Sequence, residues 1–404
     1  MSHTIPIILF ALAFTSVIGG LQYYIWRRLI HDTQLKTLPK RVATVVIILL
    51  TLSIPLSMIL SRTLTPTTAR LFSFTPMLWL GTTLFLVSIL IIVDIFFLIR
   101  WFRQRKQSTN ATTNATAPAS TTDLSRRTTL KRMAAMGTLG VSGALTGVSF
   151  WNTQKDATVI RQSIPLAKFP PSMNGFTIAQ ISDIHIGLTI GKDWLEKIVR
   201  QVNELNPDLI VITGDLIDGY VDSLCEEVAP LQFLNAPHGV FFVTGNHEYY
   251  FKAHQWISHL KKMNINVLEN RSVRIENESE HFVLAGVNDY HASSSPEKEG
   301  PDLQKALANR PSDSEVILLC HQPKVIFDAA KMDVGLVLSG HTHGGQIWPF
   351  NLLVRLQQPY NKGKITGHRR TVLYINQGTG YWGPPMRLGT TSEITLFTLS
   401  NKGK

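Results

Sequence analysis

Four long apolar runs stand out in the first 151 residues of the chain, at residues 5–26, 42–60, 77–99 and 133–151. The first two runs contain no charged residue and the third contains only Asp94. Each of these three can cross the ~30 Å hydrocarbon core of a bilayer as a helix. Three such runs within the first hundred residues are too many to be explained as buried core helices of a globular domain. The pattern therefore predicts a membrane domain at residues 1–106 with three transmembrane helices.

Basic residues are distributed unevenly around these runs. Five follow the first run, two separate the second run from the third, and four follow the third directly. Because arginine and lysine are retained on the cytoplasmic side, this asymmetry predicts an outward N-terminus and an inward residue 100. Asp94 lies near the inner end of the third run, where we expect its carboxylate to reach the membrane interface rather than to serve a function in the span.

The segment after the third run, residues 107–132, is predicted to be a linker because residues 107–122 are rich in Thr, Ser, Asn, Ala and Pro. It contains Ser125-Arg126-Arg127-Thr128-Thr129-Leu130-Lys131, which resembles a bacterial twin-arginine export signal. Thr129 stands where Phe is usual, and the motif is internal. The run at 133–151 is then a fourth transmembrane or signal-anchor helix without a clear cleavage site. An ordinary transmembrane helix is the alternative, and both interpretations place the chain from residue 158 onward outside.

Short apolar runs alternate with helical patterns from residue 158 to residue 404. Eight runs predict strands, at residues 176–181, 209–213, 240–244, 282–287, 316–319, 334–338, 372–375 and 394–398. Two stretches between them carry apolar residues at helical spacing instead, beginning at Leu195 and at Trp256. Strands that are apolar throughout are buried on both faces, which predicts an α/β fold with helices covering a layered sheet core.

The net charge of +11 could suggest a nucleic-acid-binding protein, but its distribution excludes that interpretation. Residues 1–132 carry 15 Lys and Arg against 3 Asp and Glu, whereas residues 133–404 carry 24 against 25. The region from 158 onward therefore has no basic stripe of the kind that phosphate backbones require. Cys225 and Cys320 are the two cysteines, and they do not indicate a disulfide framework.

Polar side chains follow five of the predicted strands directly. In chain order they are Asp183, His185, Asp215, Asp218, Asn246, His247, His321, His341 and His343. In layered α/β folds, the strand ends at one edge form the site. Carboxylate, imidazole and amide groups together suit Mn, Fe, Zn or Co and do not choose among them. Each fragment alone has a structural alternative, such as a helix cap for Asp183 or a turn for Asn246, and it is the ordered set that favours a metal centre.

The motif set resembles the calcineurin-like metallophosphoesterase superfamily. It comprises Asp183-x-His185, Gly214-Asp215-x-x-Asp218, Gly245-Asn246-His247-Glu248, His321 and Gly340-His341-x-His343. The membrane layout and the segments at 376–380 and 385–389 are similar to its membrane-anchored or exported bacterial branch, which includes proteins described as transmembrane proteins with a metallophosphoesterase domain. The resemblance covers residues 158–404 and implies a four-layer αββα sandwich with a two-metal centre, preceded by transmembrane helices.

The resemblance also implies a role for each matching residue. The first metal would be held by Asp183, His185 and His343, and the second by Asn246, His321 and His341. Asp215 would bridge the two ions. A hydroxide shared by the ions would attack phosphorus in line. His247 would lie near the leaving oxygen without ligating a metal, and Asp218 would orient it by a hydrogen bond.

Two functions remain open at this point. The first is a membrane-anchored hydrolase of phosphomonoesters or phosphodiesters, with lipid-linked or cell-envelope substrates such as UDP-diacylglucosamine-type glycolipids. The second is a non-catalytic metal-binding sensor or interaction module on the same scaffold, which is disfavoured because none of the ligand positions is lost. The expected location is a bacterial inner membrane, with several spans and a periplasmic catalytic domain. The expected partners are the phosphoester substrate and the membrane, with no nucleic acid, and the sequence indicates no oligomeric state.

Overall fold

The computed structural model describes residues 4–61, 63–109, 121–277, 280–295 and 299–402. The chain forms two compact units. Met1–Leu64 and Leu71–Val148 make up the first, which we call the membrane unit. Thr65–Arg70 and Ser149–Lys404 make up the second, which we call the catalytic unit.

Long helices form the N-terminal part of the chain: α1 at Thr4–Trp26, α2 at Thr37–Leu60, α3 at Pro66–Thr109 and α4 at Thr121–Thr153. Within the described residues, three segments are long and apolar enough to cross a membrane, namely Thr37–Leu60, Pro66–Arg105 and Arg126–Thr153. The predicted span at residues 5–26 corresponds to α1, a helix of 23 residues.

Two expectations for this region need correction. Helix α4 begins at Thr121, so the twin-arginine-like motif lies inside a helix rather than in a linker, because Leu, Arg, Lys, Met and Ala from residue 124 onward are good helix formers. Residues 110–120 of the predicted linker lie outside the described residues.

The second correction concerns Asp94, which does not simply reach toward the interface. Within the membrane unit it accepts a hydrogen bond of 2.8 Å from the Tyr24 hydroxyl and pairs with the Arg28 guanidinium. An opposite charge lowers the cost of an acid inside a membrane.

The catalytic unit contains two six-stranded sheets. Their strand orders are β1-β12-β2-β3-β4-β5 and β10-β11-β9-β8-β7-β6. The strands are β1 (Thr158–Leu166), β2 (Thr177–Ile181), β3 (Leu209–Ile212), β4 (Val240–Phe242), β5 (Asn266–Val267), β6 (Arg271–Asn277), β7 (Glu280–Gly286), β8 (Val316–Leu319), β9 (Leu336–Ser339), β10 (Gly363–His368), β11 (Thr371–Ile375) and β12 (Glu393–Asn401). The helices are α5 (Lys192–Glu204), α6 (Val221–Val228), α7 (Asn246–Tyr250), α8 (Ala253–Lys262), α9 (Leu303–Leu307), α10 (Ile326–Ala329) and α11 (Asn351–Gln357).

The hydrophobic core follows the two-residue period of the strands. In β3, Leu209 and Val211 pack into the cluster between the two sheets, whereas Ile210 and Ile212 face the cluster that includes α5 and α8. On the other sheet, Ala285 and neighbouring residues pack against α9 and α10. Helices therefore cover the outer face of each sheet, and the predicted four-layer αββα sandwich is confirmed.

Parallel pairing directs the strand ends of each sheet to one edge. Strands β2, β3 and β4 are parallel neighbours, as are β7, β8 and β9. The loops that follow these strands therefore meet at the carboxyl edge, which is where the sequence placed its candidate ligands. All eight predicted strands are present, and the four that the sequence missed, β1, β5, β6 and β10, are the edge strands of the two sheets.

Candidate metal centre

Close backbone approach at the carboxyl edge brings the strand-end loops together. Gly245 has no room for a Cβ atom, which would lie 2.2 Å from Asp215 Oδ1. At Gly214, with φ of +87°, a Cβ atom would meet the Gly245 backbone nitrogen at 2.6 Å and His321 Nδ1 at 2.8 Å. Glycine is therefore required at both positions, and these contacts fix the loops after β3, β4 and β8 against one another.

Five of the predicted site residues have a left-handed backbone, which non-glycine residues adopt rarely. They are Asp183, His185, Asp215, His341 and His343, with φ between +50° and +73°. Backbone hydrogen bonds from Asp183 N to the Gly214 carbonyl (3.0 Å) and from His185 N to the Asp215 carbonyl (3.2 Å) support this conformation. Such strain persists where the surrounding structure over-determines it, and it is typical of functional sites.

Asp183, His185 and His343 form the first potential ligand group, in which one ligand atom of each lies within 4.8 Å of the others. His185 Nε2 lies 3.1 Å from His343 Nε2, and His343 Nε2 lies 3.4 Å from Asp183 Oδ1. Two imidazole nitrogens that face each other beside a carboxylate oxygen suit a shared cation. This is the set that the family resemblance assigned to the first metal.

A second group consists of Asp215, His321 and His341. His321 Nε2 lies 3.1 Å from Asp215 Oδ2 and 3.2 Å from His341 Nδ1. His321 Nδ1 lies 2.7 Å from the Thr213 carbonyl, to which it donates as an N–H, leaving Nε2 directed at the group. Asp215 Oδ2 also lies 3.9 Å from His185 Nε2, so this carboxylate stands between the two groups.

Asn246 supplies the most direct test of whether this site fits a cation. Its side-chain Oδ1 is buried and has no hydrogen-bond partner among the residues that the structure describes. A buried amide oxygen without a partner is costly, and a cation is the kind of partner that would satisfy it. The residues present therefore fit a divalent cation at this edge.

His247 and Asp218 lie beside the two groups. His247 Nδ1 is 2.5 Å from Asp218 Oδ1, and its Nε2 is 3.9 Å from Asp215 Oδ2. The same oxygen of Asp218 lies 3.1 Å from His185 Nδ1. Asp218 therefore holds two imidazole rings, one more than the sequence indicated. All nine predicted site residues come together at this edge.

Burial and neighbouring charges shift the pKa values of the site histidines in different directions. Burial would raise the pKa of Asp215, but His321 and His247 hold it well below its usual range. Burial opposes protonation of His247, yet Asp215 and Asp218 outweigh burial and raise its pKa to about 9. Burial and the charge of His321 lower the pKa of His341 to about 3. The site therefore favours a protonated His247 and a neutral His341, and the neutral imidazole is the form that ligates cations.

Glu248 is a site residue for which the sequence gave no role. Its carboxylate is fully buried and accepts hydrogen bonds from the backbone N–H groups of Gly245 (2.6 Å), Leu216 (2.8 Å) and Asp215 (3.1 Å). Burial and the charge of Asp215 raise the pKa of Glu248 to about 7. Glu248 thus ties the loop after β3 to the loop after β4. Its place in the Gly-Asn-His-Glu motif was the available signal.

Arg387 is a second residue that the sequence did not assign. Its fully buried guanidinium donates through Nη2 to the carbonyls of Gln377 (2.9 Å), Gly378 (2.8 Å) and Gly380 (2.5 Å). Burial lowers its pKa to about 10. Gly378 lies against His343, where a Cβ atom would meet Nδ1 at 2.9 Å. Arg387 therefore fixes the loop that backs His343, and the segments at 376–380 and 385–389 were its only sequence signal.

Comparison with known proteins agrees with this geometry. The family model for calcineurin-like phosphoesterases matches residues 176–345. An uncharacterized metallophosphoesterase of Aquifex aeolicus is 34% identical over 246 residues, which cover 61% of this chain and 92% of that protein. A second one, from Bacillus subtilis, is 31% identical over 69% of this chain and 98% of that protein. The chain belongs to the calcineurin-like phosphoesterase family. This is a family of phosphoester hydrolases. The ligand groups described above are those expected of a metal-dependent member.

A further relative is named as a transmembrane protein. The Bos taurus protein named transmembrane protein with metallophosphoesterase domain is 40% identical over 269 residues, or 64% of this chain. This match spans 61% of the bovine protein, so the chain corresponds to only part of its length. Together with the three apolar helices, the comparison indicates a membrane protein.

Proposed function

We propose that the centre hydrolyses phosphomonoesters or phosphodiesters with two divalent cations. The observation that carries the proposal is that Asp215 shares the carboxyl edge with six other ligand-type side chains, one of which is Asn246 with its buried, partnerless Oδ1. Asp183, His185 and His343 would hold one cation, and Asn246, His321 and His341 the other, with Asp215 serving both. When bound, two such cations supply Lewis acidity toward a phosphoryl group and a water of lowered pKa.

The chain's own proton chemistry rests on His247. Asp218 holds His247 Nδ1 at 2.5 Å, which fixes the ring and leaves Nε2 directed toward Asp215. Because the two carboxylates favour the protonated ring, Nε2 carries a proton that it can deliver to a leaving alkoxide. His247 is therefore the proposed general acid, and Asp218 is the residue that positions it.

The proposed substrates are lipid-linked or cell-envelope phosphoesters, of which UDP-diacylglucosamine-type glycolipids are one chemical example. The proposed location is a bacterial inner membrane with the catalytic unit on the periplasmic side. One contact supports this topology: Arg70, at the start of α3, donates to Glu227 at 2.8 Å, and residues 65–70 belong to the same compact unit as 149–404. The connection before α3 and the catalytic unit should therefore share one side of the membrane.

The test uses the full-length protein with Mn²⁺, supplied with p-nitrophenyl phosphate and bis-p-nitrophenyl phosphate. We expect turnover of at least one ester, its loss with a chelator, and its recovery on adding Mn²⁺ back. Asp215→Asn serves as the matched inactive control. Bound metal without turnover of either ester, for Mn, Fe, Zn and Co alike, would favour the alternative of a non-catalytic metal-binding module.

A further inference from the structure

An exposed apolar surface borders the metal centre. It consists of Trp348, Phe350, Leu352, Leu353, Leu356 and Trp382, which we call the apolar rim. Each is about half exposed except Leu356, which is 84% exposed. Single exposed apolar side chains are ordinary, but a group of six that includes two tryptophans marks an interaction site.

The rim lies next to residues of the candidate metal centre. The Trp382 ring lies 5.8 Å, between centroids, from the His247 ring. Gln346, three residues after His343, donates through Nε2 to the Trp382 carbonyl and accepts from the Trp382 N–H, both at 2.9 Å. Trp348 follows two residues later. Whatever covers the rim therefore lies beside the proposed general acid.

The rim is also fixed to the last turn of α4, within the catalytic unit. Trp348 N donates to the Leu388 carbonyl at 3.0 Å, and Arg387 N donates to the Ser149 carbonyl at 2.9 Å. The Asn152 side-chain amide donates to the Arg387 carbonyl at 3.1 Å. Because Leu388 follows Arg387 directly in the chain, these three hydrogen bonds connect the rim to Ser149 and Asn152. Both residues lie at the end of a helix that is apolar enough to span a membrane.

Trp151 helps to locate the membrane surface at this point. It occupies the last turn of α4 and is 65% exposed. Tryptophan is enriched where a membrane-spanning helix leaves the hydrocarbon core. Asn152, which bonds to Arg387, follows Trp151 directly, so the residues that connect to the rim stand next to this tryptophan at the end of α4.

We propose that the apolar rim docks on the lipid bilayer, with α11 lying in the headgroup region. The sequence Asn-Leu-Leu-Val-Arg-Leu-Gln of α11 exposes its leucines together with Arg355, the combination typical of interfacial segments. The aliphatic part of Arg355 can lie along the lipid while its guanidinium reaches anionic headgroups. The docked catalytic unit would present its metal centre to phosphate groups at the membrane surface, a consequence that rests on the proposed function.

Spin labels on the full-length protein in nanodiscs of phosphatidylethanolamine and phosphatidylglycerol test the docking itself. Cys225→Ser removes the partly exposed thiol, whereas Cys320 is fully buried and stays. The test variant carries a label at Leu353→Cys, and the control carries one at Phe233→Cys. Phe233 is 66% exposed and precedes β4, at the sheet edge opposite the metal centre.

We expect the label at 353 to be relaxed by dissolved oxygen and shielded from a water-soluble nickel complex, and the label at 233 to show the reverse. A label at 353 as accessible to nickel as the one at 233 would overturn the proposal. Shielding of the label at 353 from both reagents would overturn it as well, because a second copy or another protein would then cover the rim.

A kinetic comparison tests the consequence for catalysis. The variant Leu352→Glu/Leu353→Glu/Leu356→Glu should lose at least about tenfold in hydrolysis of a vesicle-borne p-nitrophenyl ester of phosphatidic acid, because charges oppose burial in the interface. Its activity on soluble bis-p-nitrophenyl phosphate and the activity of Phe233→Glu on both esters should stay within about twofold. Equal losses on both esters would contradict docking by the rim. If the wild type hydrolyses neither ester, the proposed function fails, and the spin-label result alone decides the docking.

Discussion

Asp218 Oδ1 lies 2.5 Å from His247 Nδ1, and the same oxygen lies 3.1 Å from His185 Nδ1. One carboxylate therefore orients both the proposed general acid and a proposed ligand of the first cation. A change at Asp218 should therefore affect both proton delivery and metal binding, whereas a change at His247 should affect proton delivery alone.

His247→Gln should keep both cations and lose about 10²–10⁴ in turnover, the range for a positioned general acid. The loss should be large for alkyl phosphodiesters, whose leaving oxygen needs a proton, and small for p-nitrophenyl esters. Metal analysis combined with kinetics on two such esters checks both points. An equal loss on both esters, or loss of a cation, would remove His247 from the acid role.

Asp218→Asn should show the same dependence on the leaving group more mildly. Because Asp218 also holds His185, this variant should in addition weaken binding of the first cation by about 10–100-fold, as is usual for residues that support a metal ligand. Titration of the metal-depleted protein with Mn²⁺ measures this effect. His247→Gln is the control, since it should not alter the affinity.

Glu248→Ala should destabilise the catalytic unit, because three buried N–H groups would lose their acceptor. Leaving a buried N–H donor without an acceptor costs about 1–3 kcal/mol, so a fall of several degrees in Tm is expected. Thermal unfolding of the full-length protein measures it, with Glu204→Ala, an exposed position at the end of α5, as the control. An unchanged Tm would show that Glu248 does not tie the two loops together.

Arg370→Met should be strongly destabilising. Arg370 Nη1 lies 2.7 Å from Glu315 Oε1, and Glu315 is fully buried, so the substitution would leave a buried carboxylate without its charged partner. Breaking such a pair costs about 3–5 kcal/mol. The neighbouring Arg369→Met provides a matched control, since within the described residues the Arg369 guanidinium makes a single long hydrogen bond, of 3.4 Å, to the Ala330 carbonyl. Similar Tm values for the two variants would contradict this account.

Membrane topology gives a further prediction. Reporter fusions at residue 110 and after the C-terminus should report opposite sides of a bacterial inner membrane, and the same side for both would exclude the four-span arrangement. If the motif around Arg126 and Arg127 is a twin-arginine signal, replacing both by Lys should block export. Normal export of that variant would leave an ordinary transmembrane helix as the explanation.

Sequence patterning predicted the interior of the sheets better than their edges. Strands β3 and β8, for example, are apolar throughout because both of their faces are buried. The missed strands lie at the sheet edges, where a strand is partly exposed and needs fewer apolar residues. In β6, for example, Ile275 is the one buried residue. Likewise, β10 has no buried residue and β5 is only two residues long, so neither produces an apolar run in the sequence.

The same limit applies to the site. Residue type and position after a strand were enough to select Asp215 and His321, because few chemistries use such groups together. Glu248 and Arg387 act through hydrogen bonds to backbone groups of other loops, and those partners become visible only when the loops are brought together. The start of α4 was missed because a polar, threonine-rich stretch preceding an apolar run resembles a linker.

The central claim is that Asp215 serves two cations that are required for phosphoester hydrolysis, and metal analysis alongside turnover tests it most directly. The full-length wild type should contain two divalent ions per chain, His343→Ala should lose mainly the first and His321→Ala mainly the second. Asp215→Asn should lower the occupancy of both ions and abolish turnover. Two ions per chain with full activity in Asp215→Asn would contradict the account.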